Sequence, residues 1–280
     1  MRGQLMEFPS RGVSLYVKTM GTGYPLLLMH GGLGVDHSTL SALVNCRDAF
    51  RLIFYDHRCN GRSRGAGIES LTWENLVTDA EALRERLGIS KWAVLGHSFG
   101  GMIAQEYALR FPKSISHLIL MDTGADASLV QMNAAKVLKE RGFSRAQVDS
   151  ARRLFNGEIV PAELPLIMLK LGKAYYHDPN LIMQIRALWN ALRIRSRPDA
   201  CIYGFQQLLK GWSIMNRLAE IHIPVLLIAG RSDFQFPPAH QITMASAYPN
   251  ARYESIEDAS HNPLIEKPGQ TMELIRQFVK

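Results

Sequence analysis

Five short runs in this chain are apolar at almost every position. They are PLLLM (25–29), RLIFY (51–55), WAVL (92–95), ISHLILM (115–121) and PVLLIA (224–229). A strand that alternates apolar and polar residues can show one face to water, whereas these runs have no such face. They therefore read as strands covered on both sides, as in a parallel sheet with helices above and below. A sixth run, VSLYVKT (13–19), reads as a further strand. Helical patterns lie between them. Residues 72–87 set Trp73, Leu76, Val77, Ala80, Leu83 and Leu87 on one face, and Gly88 follows as a C-terminal cap. PGQTMELIRQFVK reads as a closing helix with Pro268 near its start. Strands alternating with helices predict a doubly wound α/β fold.

The alternation stops between residues 124 and 217. PLIMLKLGKAYY and PNLIMQIRALWNALR are helical patterns there, and the strand–helix rhythm returns near Ile223. The expected organisation is a core of residues 1–123 and 218–280 with a helical cap of residues 124–217 inserted between two core strands. All of the net charge of +7 lies in that insertion, which holds 14 Lys or Arg against 7 Asp or Glu. Its basic residues form no run interleaved with aromatics, so the surplus reads as a solvated helical surface rather than a nucleic-acid site.

No apolar run approaches the roughly 18 residues of a membrane span. The first residues, MRGQLMEFPSRG, lack the apolar stretch of a signal peptide. Cys46, Cys59 and Cys201 are scattered, with no C-x-x-C, which favours neither disulfides nor zinc and fits a reducing cytoplasm. There is no P-loop and no H-E-x-x-H, and GGLGVDH has His37 where a dinucleotide fingerprint needs its third glycine. No cofactor and no metal are expected. The expected partner is a small-molecule substrate, with no nucleic acid and no membrane, and a homo-oligomer is left open.

The chemistry is concentrated around GHSFGG, residues 96–101, which follows the WAVL strand and precedes the helical pattern GMIAQEYALRF. A G-x-S-x-G serine between strand and helix is predicted to stand on a sharp turn with its hydroxyl at the carboxyl end of the sheet. Gly96 and Gly100 relieve crowding there, and Gly101 lets the helix start close to the sheet. A serine needs a base to take its proton. His261, in YESIEDASHNPLIEKP, lies between a last strand and the closing helix, and Asp233 lies just past the PVLLIA strand. Ser98, Asp233 and His261 thus appear in the chain order that this architecture requires, with His261 as base and Asp233 as its orienting acid. Asp122, also after a buried strand, is the rival acid. For an oxyanion, the turn HGGLG after PLLLM offers the amide of Gly32, and the residue after the serine offers that of Phe99.

HGGLG, YDHRCNGRS, GHSFGG, AGRSDFQFP and ASHNPLIEKP, in this order, resemble the α/β-hydrolase superfamily over residues 13–123 and 218–280. The first two motifs and the helical insertion are similar to the proline iminopeptidase branch, whose usual patterns are H-G-G-P-G, D-Q-R-G-x-G-x-S and G-G-S-W-G-G. This chain departs from them at Leu33, His57, Cys59, His97 and Phe99. Haloalkane dehalogenases and epoxide hydrolases of the fold need an aspartate where Ser98 stands. The resemblance implies a cofactor-independent serine hydrolase working through an acyl-enzyme. A small carboxylic ester is the first expected substrate and a proline iminopeptidase activity the second. A carbon–carbon bond hydrolase or lactonase ranks below these, and a non-catalytic binding protein last. An iminopeptidase would need cap carboxylates for the substrate's amine, for which Glu158 and Glu163 are the available pair. His97 and His57 read as structural, and the Met and aromatic residues of 124–217 read mostly as cap core.

Overall fold

The computed structural model describes residues 4–280. The strands are β1 (Gln4–Phe8), β2 (Val13–Met20), β3 (Tyr24–Met29), β4 (Phe50–Tyr55), β5 (Trp92–His97), β6 (Ile115–Met121), β7 (Val225–Gly230) and β8 (Ala251–Ile256). They form one sheet in the order β1-β2-β4-β3-β5-β6-β7-β8. Pairing from β4 to β8 is parallel, while β2 runs antiparallel to β4 and to β1.

The burial follows the residue pattern. Every residue of β5 and β7 is buried, as their unbroken apolar runs require, whereas β2 alternates buried and half-buried. Two apolar layers cover the faces. One holds Leu27, Val94, Leu120 and Leu227 with Ile103 and Tyr107, and the other holds Leu26, Leu95, Ile119 and Ile228 with Leu264 and Ile275.

Helix α1 (Trp73–Arg86) starts at Thr72, whose hydroxyl accepts from the Asn75 amide. It buries Leu76, Val77, Ala80 and Leu83, while Trp73 and Leu87 at its ends are only half-buried. Gly88, at φ +65, follows in the left-handed conformation open to glycine at no steric cost. Helix α2 (Phe99–Arg110) starts directly after β5. Between β6 and β7 the chain runs through α3 (Ser128–Glu140), α4 (Arg145–Phe155), α5 (Leu164–Leu171), α6 (Leu181–Arg193) and α7 (Pro198–Tyr203). It closes with α8 (Pro238–Ala247), α9 (Pro263–Glu266) and α10 (Pro268–Phe278). Among the described residues no helix is long and apolar enough to cross a membrane.

β5 lies between β3 and β6, and the loops leaving β3, β5, β7 and β8 all emerge at the carboxyl end of the parallel strands. That edge is where ligands sit in open α/β sheets.

Candidate active site

Ser98 joins β5 to α2 with φ +52 and ψ −124, a region that L-residues rarely occupy. Its amide is held by the carbonyl of Met121 at 2.9 Å, and its own carbonyl accepts from Thr123 Oγ1 at 2.6 Å. The flanking glycines are required by space. A Cβ on Gly96 would overlap the backbone of Gly100 and Gly101, and one on Gly100 would overlap the carbonyls of Met29 and His30. So the turn is packed against the end of β3, and only glycine fits between them.

The Ser98 hydroxyl faces His261 Nε2 at 3.0 Å. On the other side of the ring, His261 Nδ1 donates to Asp233 Oδ2 at 2.9 Å. With its proton on Nδ1, the imidazole keeps the Nε2 lone pair for the serine hydroxyl. The second carboxylate oxygen of Asp233 accepts from the Gln235 amide at 2.8 Å. All three residues are buried, with 9% of Ser98, 3% of His261 and 1% of Asp233 exposed. The structure therefore brings Ser98, His261 and Asp233 into one hydrogen-bonded line.

Asp122 is left out of that line. It sits at φ +44 directly after β6, wholly buried. Its Oδ1 accepts from the Gly230 amide at 2.8 Å, and its Oδ2 has no partner among the described residues. Burial, and then the neighbouring charge of Asp233, push its pKa well above the usual carboxylate range.

Gly32, at φ +64, occupies the turn after β3, and Phe99 is the first residue of α2. Neither amide donates to another described residue. The first amides of any helix lack an intrahelical acceptor, and the turn leaves the Gly32 amide equally free. The turn itself is held by His57, whose Nε2 donates to the His30 carbonyl at 3.1 Å while its ring lies 4.0 Å from that of His30, tilted by 33°. Burial holds the His57 pKa well below its ordinary value, so that ring is neutral. Cys59 stands at φ +60, where the iminopeptidase pattern has glycine. A side chain in that conformation costs about 1 kcal/mol.

His97 does more than the sequence implied. Its Nε2 donates to the carbonyl of His261 at 3.0 Å, and the two rings lie 5.1 Å apart. Burial, followed by repulsion from His261, lowers its pKa to about 3, so it is a neutral donor that fixes the backbone of His261. The other wall around His261 is aromatic, with Tyr175, Phe236 and Phe234 at ring distances of 5.6, 6.1 and 6.3 Å. Glu158 and Glu163 are elsewhere. Glu158 pairs with Arg152 at 2.7 Å on the exposed surface of the helical segment, and Glu163 pairs with Arg153 at 2.8 Å, half-buried.

Comparison with known proteins agrees with this architecture. The profile of the alpha/beta hydrolase fold family matches residues 24–268. The chain belongs to that family. It is 28% identical over 267 residues to a proline iminopeptidase of Pestalotiopsis fici, covering 91% of this chain and 92% of that relative. It is 27% identical over 285 residues to a proline iminopeptidase of Neisseria meningitidis, covering 90% and 88%. The crystal structure of a Mycobacterium smegmatis proline iminopeptidase superposes with a TM-score of 0.77 at 22% identity, covering 99% of this chain and 97% of that one. An Exiguobacterium antarcticum esterase superposes equally well, at 0.77 and 18% identity, over 99% of both chains. The resemblance drawn from the motifs, to the superfamily and to its iminopeptidase-like branch, is borne out.

Proposed function

We propose that this α/β hydrolase is a cofactor-independent serine hydrolase that cleaves small carboxylic esters beneath a cap formed by residues 124–217. The observation that carries the proposal is the line from Ser98 through His261 to Asp233. In this reading Ser98 Oγ attacks the ester carbonyl as His261 Nε2 takes its proton. The oxygen that gains charge is met by the amides of Gly32 and Phe99, each such donor being worth about 3 kcal/mol of barrier. His261 then returns the proton to the leaving alkoxide, and an acyl group remains on Ser98. Water, activated by the same imidazole, releases the acid. Asp233 keeps the ring oriented and stabilises its charged form in both halves.

Ester rather than aminopeptidase chemistry is supported by where the carboxylates are. A free α-amine is cationic near neutral pH and needs an anionic partner when it leaves water. Glu158 and Glu163 are already engaged by Arg152 and Arg153, and the rings packed nearest His261 are those of Tyr175, Phe236 and Phe234. The names of the sequence relatives favour the second reading, a proline iminopeptidase.

Substrate competition separates the two readings. The expected kcat/KM for a short-chain p-nitrophenyl ester exceeds that for a prolyl arylamide by at least about 100-fold. Glu158→Gln and Glu163→Gln should each alter ester turnover less than about threefold. A strong arylamidase activity that collapses in either variant, with ester turnover spared, would establish the iminopeptidase instead.

A further inference from the structure

One cation of the basic helical segment is not at a solvated surface. Arg141 follows α3 directly and lies half-buried. Its guanidinium reaches four backbone carbonyls and one hydroxyl. Nη1 donates to Ala174 O at 3.0 Å, to Ser232 O at 3.2 Å and to Ser260 Oγ at 3.3 Å. Nη2 donates to Tyr176 O at 2.6 Å and to His177 O at 3.4 Å. Ser232 directly precedes Asp233, and Ser260 directly precedes His261. Arg141 therefore grips both loops that carry the imidazole and its acid, at the residue before each.

The grip is reinforced from the core. Glu266 accepts from the Ser260 amide at 2.8 Å with one oxygen and from the His177 amide at 2.6 Å with the other. The Ser260 hydroxyl lies 3.0 Å from Ser232 O and 3.1 Å from Ala174 O. Three backbone segments, 174–177, 232–233 and 260–261, thus meet on one guanidinium and one carboxylate.

We propose that Arg141 is a positioning residue: it fixes the spacing between the Asp233 and His261 loops, and so makes alignment of the Ser98–His261–Asp233 line depend on the helical segment being docked. The proposal rests on the serine-hydrolase reading given above. A planar fork with five N–H groups can span several carbonyls at once, which the single ammonium of lysine cannot. Docking of the segment does not depend on Arg141 alone. Arg197 donates to Gly34 O from its backbone and to Gly61 O and Ser63 O from its side chain. Trp212 Nε1 bonds Glu106 at 2.7 Å, and Trp73 Nε1 bonds Leu208 O at 3.2 Å. Removing the guanidinium should loosen the two loops while these contacts keep the segment in place.

The test is a set of Arg141 variants read by ester kinetics and by the rate at which a small fluorophosphonate labels Ser98. Arg141→Met is expected to lower kcat by about 30- to 100-fold, the cost of a displacement near 1 Å in a reacting group. KM should change less than about threefold, and labelling should slow by the same factor as kcat. Arg141→Lys should fall between the Met variant and wild type. Guanidinium ion at about 20 mM, far below unfolding concentrations, should partly restore Arg141→Ala and leave wild type unchanged. If the Met variant fails to fold, the Lys variant and the guanidinium titration carry the test with the same signature. A rise in KM with kcat and labelling rate unaltered would reduce Arg141 to a tether of the helical segment and overturn the proposal. Wild-type labelling in every folded variant would overturn it too, while leaving Ser98 as nucleophile. Failure of the probe to label wild-type Ser98 at all would instead remove the serine-hydrolase reading on which it rests.

Discussion

Asp122 and Asp233 stand at the carboxyl ends of neighbouring strands, each 1% exposed or less. Their surroundings differ in the donors that each carboxyl group meets. Both oxygens of Asp233 are covered by donors, the Gln235 amide and His261 Nδ1. Asp122 has one donor, the Gly230 amide, and one bare oxygen. A carboxylate can leave water as an anion only if hydrogen bonds replace its hydration. Asp122 meets fewer donors and has Asp233 beside it, and burial with that neighbouring charge raises its pKa well above the ordinary carboxylate range. Location at a strand end is thus insufficient to make an acid partner for histidine; the donors around the second oxygen make the difference.

The largest consequence is kinetic. Asp233→Asn should lower kcat for ester hydrolysis by roughly 10³ to 10⁴, because the imidazole loses both its orienting charge and its tautomer. Asp122→Asn keeps an acceptor for the Gly230 amide and leaves the Ser98–His261–Asp233 line intact, so it should cost less than about threefold in kcat. A larger loss in Asp122→Asn than in Asp233→Asn would move the acid to β6 and reverse the comparison.

A smaller effect appears in stability. The pKa of Asp122 is raised on folding, so above the ordinary carboxylate range the unfolded chain releases a proton that the folded chain keeps. Stability therefore falls as pH rises through that window, and the contribution is fully present only at pH below the unfolded value. Asp122→Asn removes this dependence. Its melting temperature relative to wild type should climb by a few degrees, about 3–6 °C, between about pH 4 and about pH 7. A difference that stays flat across the same range would mean that Asp122 is ionised in the fold.

The sheet and the strand-to-helix turn were legible because each has a residue pattern of its own. Nearly continuous apolar runs mark β3, β4, β5, β6 and β7, and the glycines around Ser98 mark a place where two backbones nearly touch. β1 was not legible. As an edge strand it pairs only with β2, and its burial runs exposed, exposed, half-buried, exposed, buried, so neither alternation nor an apolar run announces it. The roles of His97 and Arg141 were hidden for a different reason. Each meets backbone carbonyls far along the chain, 164 positions away for His97 and 91 for the Arg141 contact with Ser232. Every residue has a carbonyl, so such an acceptor leaves no mark on the sequence. The same holds for the surplus charge of 124–217: a count of cations cannot separate Arg152, paired with Glu158 at the surface, from Arg141, folded over the loops of the site.

In the proposed function Ser98 is a nucleophile activated by His261 and Asp233. This role is tested most directly by the mass of the intact protein, and of its peptides, after reaction with a fluorophosphonate. A single adduct on Ser98 is expected, absent in Ser98→Ala, slowed by roughly 10³-fold or more in Asp233→Asn, and close to the wild-type rate in Asp122→Asn. An adduct on another residue, or a Ser98→Ala variant that still hydrolyses ester within about tenfold of wild type, would contradict it.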